Sequence, residues 1–176
     1  MSASSCGPKV VLIGSMGAGK TTVGGLVAEA LGLSFRDTDQ VIEERAGKPV
    51  SEIFVDDGEP HFRDLERTVV AESLDEFDGV LALGGGAAMD PQSQELLAGH
   101  CVVFLKVGLA DAASRVGLGV SRPMLLGNVR GRIKQLLDER TPIYLAVARH
   151  TVETDGLDAA AVADQVLALV QDGSHD

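Results

Sequence analysis

Tryptophan is absent from this 176-residue sequence, tyrosine occurs once and phenylalanine five times. A core built from it must therefore be aliphatic, and with 45% hydrophobic residues and 21 glycines there is enough material for one. Cysteine is nearly absent too: Cys6 and Cys101 share no CxxC spacing, which excludes a disulfide framework or a zinc scaffold and suits a reducing compartment. The opening MSASSCGP has no basic n-region, and the apolar run at residues 10–13 is far too short to span a bilayer, so a soluble, cytoplasmic protein without a leader is expected. Positive charge is scarce, with 15 Lys and Arg against 26 Asp and Glu, a net charge of −11. That balance argues against a nucleic-acid or membrane-surface partner. The four histidines, His61, His100, His150 and His175, show no HExxH or related spacing and receive no metal or catalytic role.

Length alone favours one domain over residues 1–176. Short apolar runs at residues 10–13, 34–37, 80–83, 102–107 and 150–153 read as strands, separated by helix-length segments. The predicted fold is α/β, a doubly wound domain with a five-stranded parallel sheet flanked by helices. A helix is expected over residues 20–31, ending near Gly32. Phe62, Leu65, Val69 and Leu74 follow helical spacing, as do Val162, Val166 and Val170. Residues 115–149 hold seven of the 15 basic residues against only Asp138 and Glu139, a local excess that suits a small polyanion. Arg130, Arg132 and Lys134 read as a solvated helix face, which leaves Arg122 and Arg140 as the candidates of interest.

The strongest motif is Gly14-Ser15-Met16-Gly17-Ala18-Gly19-Lys20-Thr21, which matches GxxxxGK(S/T) between an apolar strand and a helix. Such a loop cradles phosphates with backbone N–H groups at a helix N-terminus. Gly17, Ala18, Gly19, Lys20, Thr21 and Thr22 are the expected nucleotide contacts, with Lys20 on the β and γ phosphates and the Thr21 hydroxyl on Mg²⁺. A regulatory GTPase would use the same loop, but its NKxD motif is missing: the one Asn, Asn128, precedes Val. Asp37-Thr38-Asp39 ends the second strand, and the period of two sets both carboxylates on one side, facing the ligand crevice. One could hold a metal-bound water and the other take a proton from an acceptor hydroxyl. The alternative is that one of them simply caps the next helix.

Taken together the motifs resemble the shikimate kinase family: the phosphate loop, DTD at 37–39, GxPVSEIF at 47–54, FRDLE at 62–66, LGGGA at 83–87, SRPML at 121–125 and ERTPIY at 139–144, in that order. The resemblance implies a P-loop NTPase of the nucleoside-monophosphate-kinase-like fold, with a substrate-binding region at about 38–75 and a mobile lid at about 117–127. It implies ATP as co-substrate, Mg²⁺ as cofactor and shikimate as acceptor, in a monomer. Asp39 would bind shikimate hydroxyls and act as base, Arg63 and Arg140 would hold the carboxylate, and Gly85 would present its backbone to the substrate. Lys20, Asp39 and Arg122 would form the catalytic set, the lid residue Arg122 closing over the phosphates, with Thr21 and Asp37 at the metal. Bidentate guanidinium recognition of a carboxylate agrees with two arginines there. For Arg63 an exposed ion pair with Glu59 or Glu66 is the competing reading.

The sequence departs from the family where some members carry an arginine near adenine, since the loop after the last strand reads Asp155-Gly156-Leu157. Adenine contacts there would come from backbone, and Arg115 is a further candidate to stack on the base. The other readings kept open are a gluconate or nucleotide kinase of the same fold and a non-catalytic ATP-binding module.

Overall fold

Consecutive apolar residues without polar interruption are accommodated where both faces of a strand are covered. In the computed structural model, which describes residues 7–15, 18–108, 111 and 126–173, Val10–Ile13 form such a strand (β1), with every side chain buried. β3 (Gly79–Ala82) is buried throughout and β4 (Val102–Lys106) is buried except at its last residue. The more polar β2 (Ser34–Asp37) and β5 (His150–Glu153) take the two edges. All pairings are parallel, in the order β2-β3-β1-β4-β5, with Val10 opposite Val80 and Val11 opposite Val102.

The helices are α1 (Lys20–Leu31), α2 (Thr38–Ala46), α3 (Val50–Asp57), α4 (Glu59–Glu76), α5 (Pro91–Leu97), α6 (Leu126–Val147) and α7 (Ala159–Gly173), with a 3-10 turn at Ala87–Met89. α1 ends where expected, on Gly32 in the left-handed region at φ 69°, its N–H reaching back to the Ala28 and Glu29 carbonyls. One face of the sheet packs on α1 through Val23 and Val27 and on α7 through Val162, Val166 and Val170. The other packs on Val70 and Leu74 of α4, Leu97 of α5 and Tyr144 of α6. A smaller core of Ile42, Ile53, Phe62 and Val69 ties α2, α3 and α4 together, with the Phe54 and Phe62 rings 4.7 Å apart. Each of these buried side chains is worth about 1.5–3 kcal/mol, so the α2–α4 layer is a stable platform. No helix among the described residues is long and apolar enough to cross a membrane.

The five expected strands and the two amphipathic helices are present with small shifts at their ends. β3 starts one residue early, although the Leu83 N–H still bonds the Leu12 carbonyl at 3.0 Å, and β4 stops at Lys106. One expectation is corrected. Asp37 and Asp39 do not share one side of a strand: β2 ends at Asp37, and Thr38 opens α2. The physical reason is capping, because the Asp37 side chain accepts from the Asp39 N–H at 2.9 Å and so starts the helix.

Candidate functional site

β1 and β3 are neighbours, and the chain leaves β1 toward β2 at one edge but leaves β3 toward β4 on the other side, so a crevice opens beyond the carboxyl ends of these two strands. The phosphate loop fills this position. Gly19 caps α1 at φ 89° with no side-chain hydrogen bond, which leaves the first N–H groups of that helix for an anion. The Ala18 N–H closes the loop on the Ser15 carbonyl at 3.1 Å. Lys20 folds over it, Nζ donating to the Gly14 and Ser15 carbonyls at 2.7 and 3.1 Å. Burial lowers its pKa to about 8, against the pull of Asp37 and Asp39. Thr21 and Thr22 stand exposed in the first turn.

The Thr21 hydroxyl donates to Asp37 Oδ2 at 3.0 Å, joining the phosphate loop to the end of β2. Asp37 thus has two tasks, with Oδ1 on the helix cap and Oδ2 on Thr21. Asp39, in the first turn of α2, has its pKa raised to about 6, chiefly by burial and then by the neighbouring Asp37 and Glu66 charges. Among the described residues two buried side-chain polar atoms lack a hydrogen-bond partner, Ser15 Oγ and Asp39 Oδ1, and both belong to this crevice. Buried polar atoms are nearly always paired, so two orphans in one crevice mark a place completed by a ligand. The donors present, one hydroxyl and two carboxylates, suit a hard cation. No cluster of three or more His, Cys, Asp or Glu side chains with metal-binding geometry occurs among the described residues. A Mg²⁺ ion here would share its coordination sphere with phosphates and water, as that ion commonly does.

Beyond Asp39 lies the glycine turn at residues 84–86. A Cβ at Gly84 would fall 2.4 Å from Asp39 Oδ1, and one at Gly86 would fall 2.7 Å from Arg63 Nη1. Close approach, rather than flexibility, explains these glycines. Thr38, fully buried, accepts from the Gly84 N–H at 3.0 Å and so docks the turn onto α2. Arg63 and Arg140 both line a cavity of about 370 Å³, together with Gly86 and Glu66. Arg63 donates to Glu66 at 2.6 Å and to Glu59 at 3.3 Å, so the competing ion-pair reading is present in the same side chain that faces the cavity. Glu66 is 4% exposed, and burial raises its pKa against the lowering effect of Arg63 and Arg140.

The sequence-derived site therefore assembles from Ala18, Gly19, Lys20, Thr21, Asp37, Asp39, Arg63 and Arg140, with Gly85 in the turn between the two halves. Gly17, Arg115 and Arg122 lie outside the described residues, as does the expected lid except for residues 126 and 127, which begin α6. Arg132 and Lys134 are solvent-exposed on α6 as expected, Lys134 pairing with Asp138 at 2.7 Å. After β5, Asp155 accepts from the Gly108 N–H at 2.8 Å and is committed to backbone rather than to a base. Sequence reasoning assigned no role to Glu66, Thr38 or Tyr144. The signals were there in part: Glu66 sits three residues after Arg63, and Tyr144 four after Arg140, the spacings that bring side chains together on a helix.

Comparison with known proteins agrees with this geometry. The shikimate kinase family model matches residues 16–171. A shikimate kinase of Salinispora arenicola is 55% identical over 163 residues, 93% of this chain and 98% of that protein. One from Thermobifida fusca is 61% identical over 147 residues, covering 84% and 86%. Among solved structures, the shikimate kinase from Acinetobacter baumannii in complex with shikimate superposes with a TM-score of 0.84 at 35% identity, covering 96% of this chain and 94% of that one. Identity above one half, carried through almost the full length and onto the same backbone, reflects common descent, and the chain belongs to the shikimate kinase family.

Proposed function

We propose how this chain's residues divide the work of its family's reaction, the ATP-dependent phosphorylation of shikimate to shikimate 3-phosphate on the route to chorismate and aromatic amino acids. The observation that carries the reading is Asp39: a buried carboxyl with an unpartnered oxygen and a pKa raised to about 6, within electrostatic reach of Lys20 and flanked by the glycine turn. A group so poised takes a proton near neutral pH, and Asp39 orients and deprotonates the acceptor hydroxyl. Arg63 and Arg140 hold the acceptor carboxylate in their shared cavity, and Gly85 offers backbone to it.

On the donor side, Gly17, Ala18, Gly19 and Thr22 wrap the phosphates with backbone and hydroxyl groups, and Lys20 leaves the Gly14 and Ser15 carbonyls to meet phosphoryl oxygens. The role kept for Arg122 is to add positive charge at the phosphoryl group and help exclude water, a competing acceptor. Thr21 and Asp37, already joined by a hydrogen bond, would hold Mg²⁺, and the ion would supply charge neutralisation on the phosphate oxygens. Positioning and electrostatics account for the catalysis. The enzyme acts as a cytoplasmic monomer on two small molecules, and the net charge of −11 supports a reading without nucleic-acid or membrane partners.

The test is ADP release from purified protein with ATP and Mg²⁺, comparing shikimate with gluconate, AMP and no acceptor. Release should saturate with shikimate and stay at the blank level with the others. Release no faster with shikimate than without it would remove the roles of Asp39, Arg63 and Arg140 together and leave an ATP-binding module.

A further inference from the structure

Tyr144 is the single tyrosine of the chain, 1% exposed, on the face of α6 that packs against the sheet. Its ring lies against Phe104 of β4, centroids 4.9 Å apart, and packing alone would explain a phenylalanine there. The hydroxyl does something a phenylalanine could not: it donates to the Gly85 carbonyl, in the middle of the glycine turn. Arg140, one helical turn earlier, also interacts with the phenol, whose pKa is raised by burial against the opposing effect of that guanidinium.

The polarity of the turn follows from these bonds. Gly84 has its N–H on Thr38 and its carbonyl on the Ala87 N–H, while the Gly86 carbonyl accepts from Met89. With the Gly85 carbonyl on Tyr144, every carbonyl of the turn is used inside the protein, and only N–H groups remain to offer a ligand. In a trans peptide the C=O of residue 85 and the N–H of residue 86 point in opposite directions. Anchoring the carbonyl on the phenol therefore turns the Gly86 N–H away from the phenol, at the residue that lines the cavity with Arg63 and Arg140. Two adjacent glycines would otherwise let that peptide rotate at little steric cost.

We propose that Tyr144 is a positioning residue for the acceptor: its hydroxyl locks the Gly85–Gly86 peptide in the orientation that presents N–H to an anion and steadies Arg140 beside it. It needs no contact with substrate. This inference rests on the acceptor-site reading above, and the experiment separates the two. In the Tyr144→Phe variant the KM for shikimate should rise about three- to tenfold, the ratio corresponding to one hydrogen bond of ordinary net worth. The KM for ATP should stay unchanged and kcat should hold within about twofold, the signature of a binding rather than a transition-state effect. Wild-type protein that turns over shikimate, with a variant whose two KM values are both unchanged or rise equally, would overturn the role of Tyr144 alone. Wild-type protein without shikimate-dependent turnover would overturn both readings.

Discussion

Asp39 and Lys20 are both held in the less charged direction, one with a pKa raised to about 6 and the other lowered to about 8, and burial is the leading cause in each. For Asp39 the sign of the effect on stability is unfavourable at neutral pH. Between about pH 4 and 6 the folded chain keeps a proton that the unfolded chain has lost, so folding stability falls as pH rises through that window and stays reduced above it. Asp39→Asn should therefore melt higher than wild type at pH 8, by on the order of 2 kcal/mol, while turnover drops about 100-fold or more and ATP binding persists. Arg140→Ala should instead weaken shikimate binding mainly. Thermal melts, steady-state rates and nucleotide titration check all of this, and equal, mild effects from the two variants would contradict the assigned roles. The wild-type rate should fall off below about pH 6 as Asp39 takes up its proton. Lys20 runs the other way: stability rises with pH from about 8 toward the unfolded value of 10.5, because there the unfolded chain binds more protons.

Short elements ending at the crevice set the geometry between these residues. α2 starts where it does because Asp37 caps it, and that start fixes Asp39 against the glycine turn and Thr38 under it. Asp37 serves local structure with one oxygen and Thr21 with the other, so a single substitution can separate the tasks. Asn caps helices as well as Asp, so Asp37→Asn should keep thermal stability within about 0.5 kcal/mol, whereas Asp37→Ala should lose about 1 kcal/mol. Both should raise the Mg²⁺ concentration needed for half-maximal rate. Melting curves alongside a Mg²⁺ titration decide it, and an unchanged Mg²⁺ requirement in Asp37→Asn would confine this residue to capping. The DTD segment was ambiguous in sequence because strand periodicity and an N-cap use the same residues. Only the hydrogen bond from the Asp39 N–H chose between them.

For the whole molecule, a parallel sheet with β1 at its centre gathers the ends of β1, β2 and β3 at one edge, and the cavity lined by Arg63 and Arg140 forms where α4 and α6 approach the glycine turn. A site that keeps unpartnered buried atoms and buried charge costs stability when empty, and ligands that complete it should restore that stability. At 100 times its dissociation constant a nucleotide contributes about 2.7 kcal/mol. For a chain of this size that corresponds to a rise of roughly 5–10 °C in melting temperature with ATP and Mg²⁺. Differential scanning fluorimetry with and without nucleotide measures it. A shift absent at millimolar ATP would mean that the crevice is not a nucleotide site.

Much of this was determined by the sequence alone. The phosphate loop, the buried strands and the helix ending at Gly32 are local features, set by residue type and short-range spacing within a few turns of chain. The order of motifs was enough to indicate the family. What only the tertiary structure decided depends on contacts between distant segments. Arg63 and Arg140, 77 positions apart, line one cavity. Tyr144 reaches Gly85, and Thr38 reaches Gly84. Gly84 and Gly86 are required by side chains that come from α2 and α4. No periodicity encodes these meetings, because they follow from how the helices pack across the sheet and not from spacing along the chain.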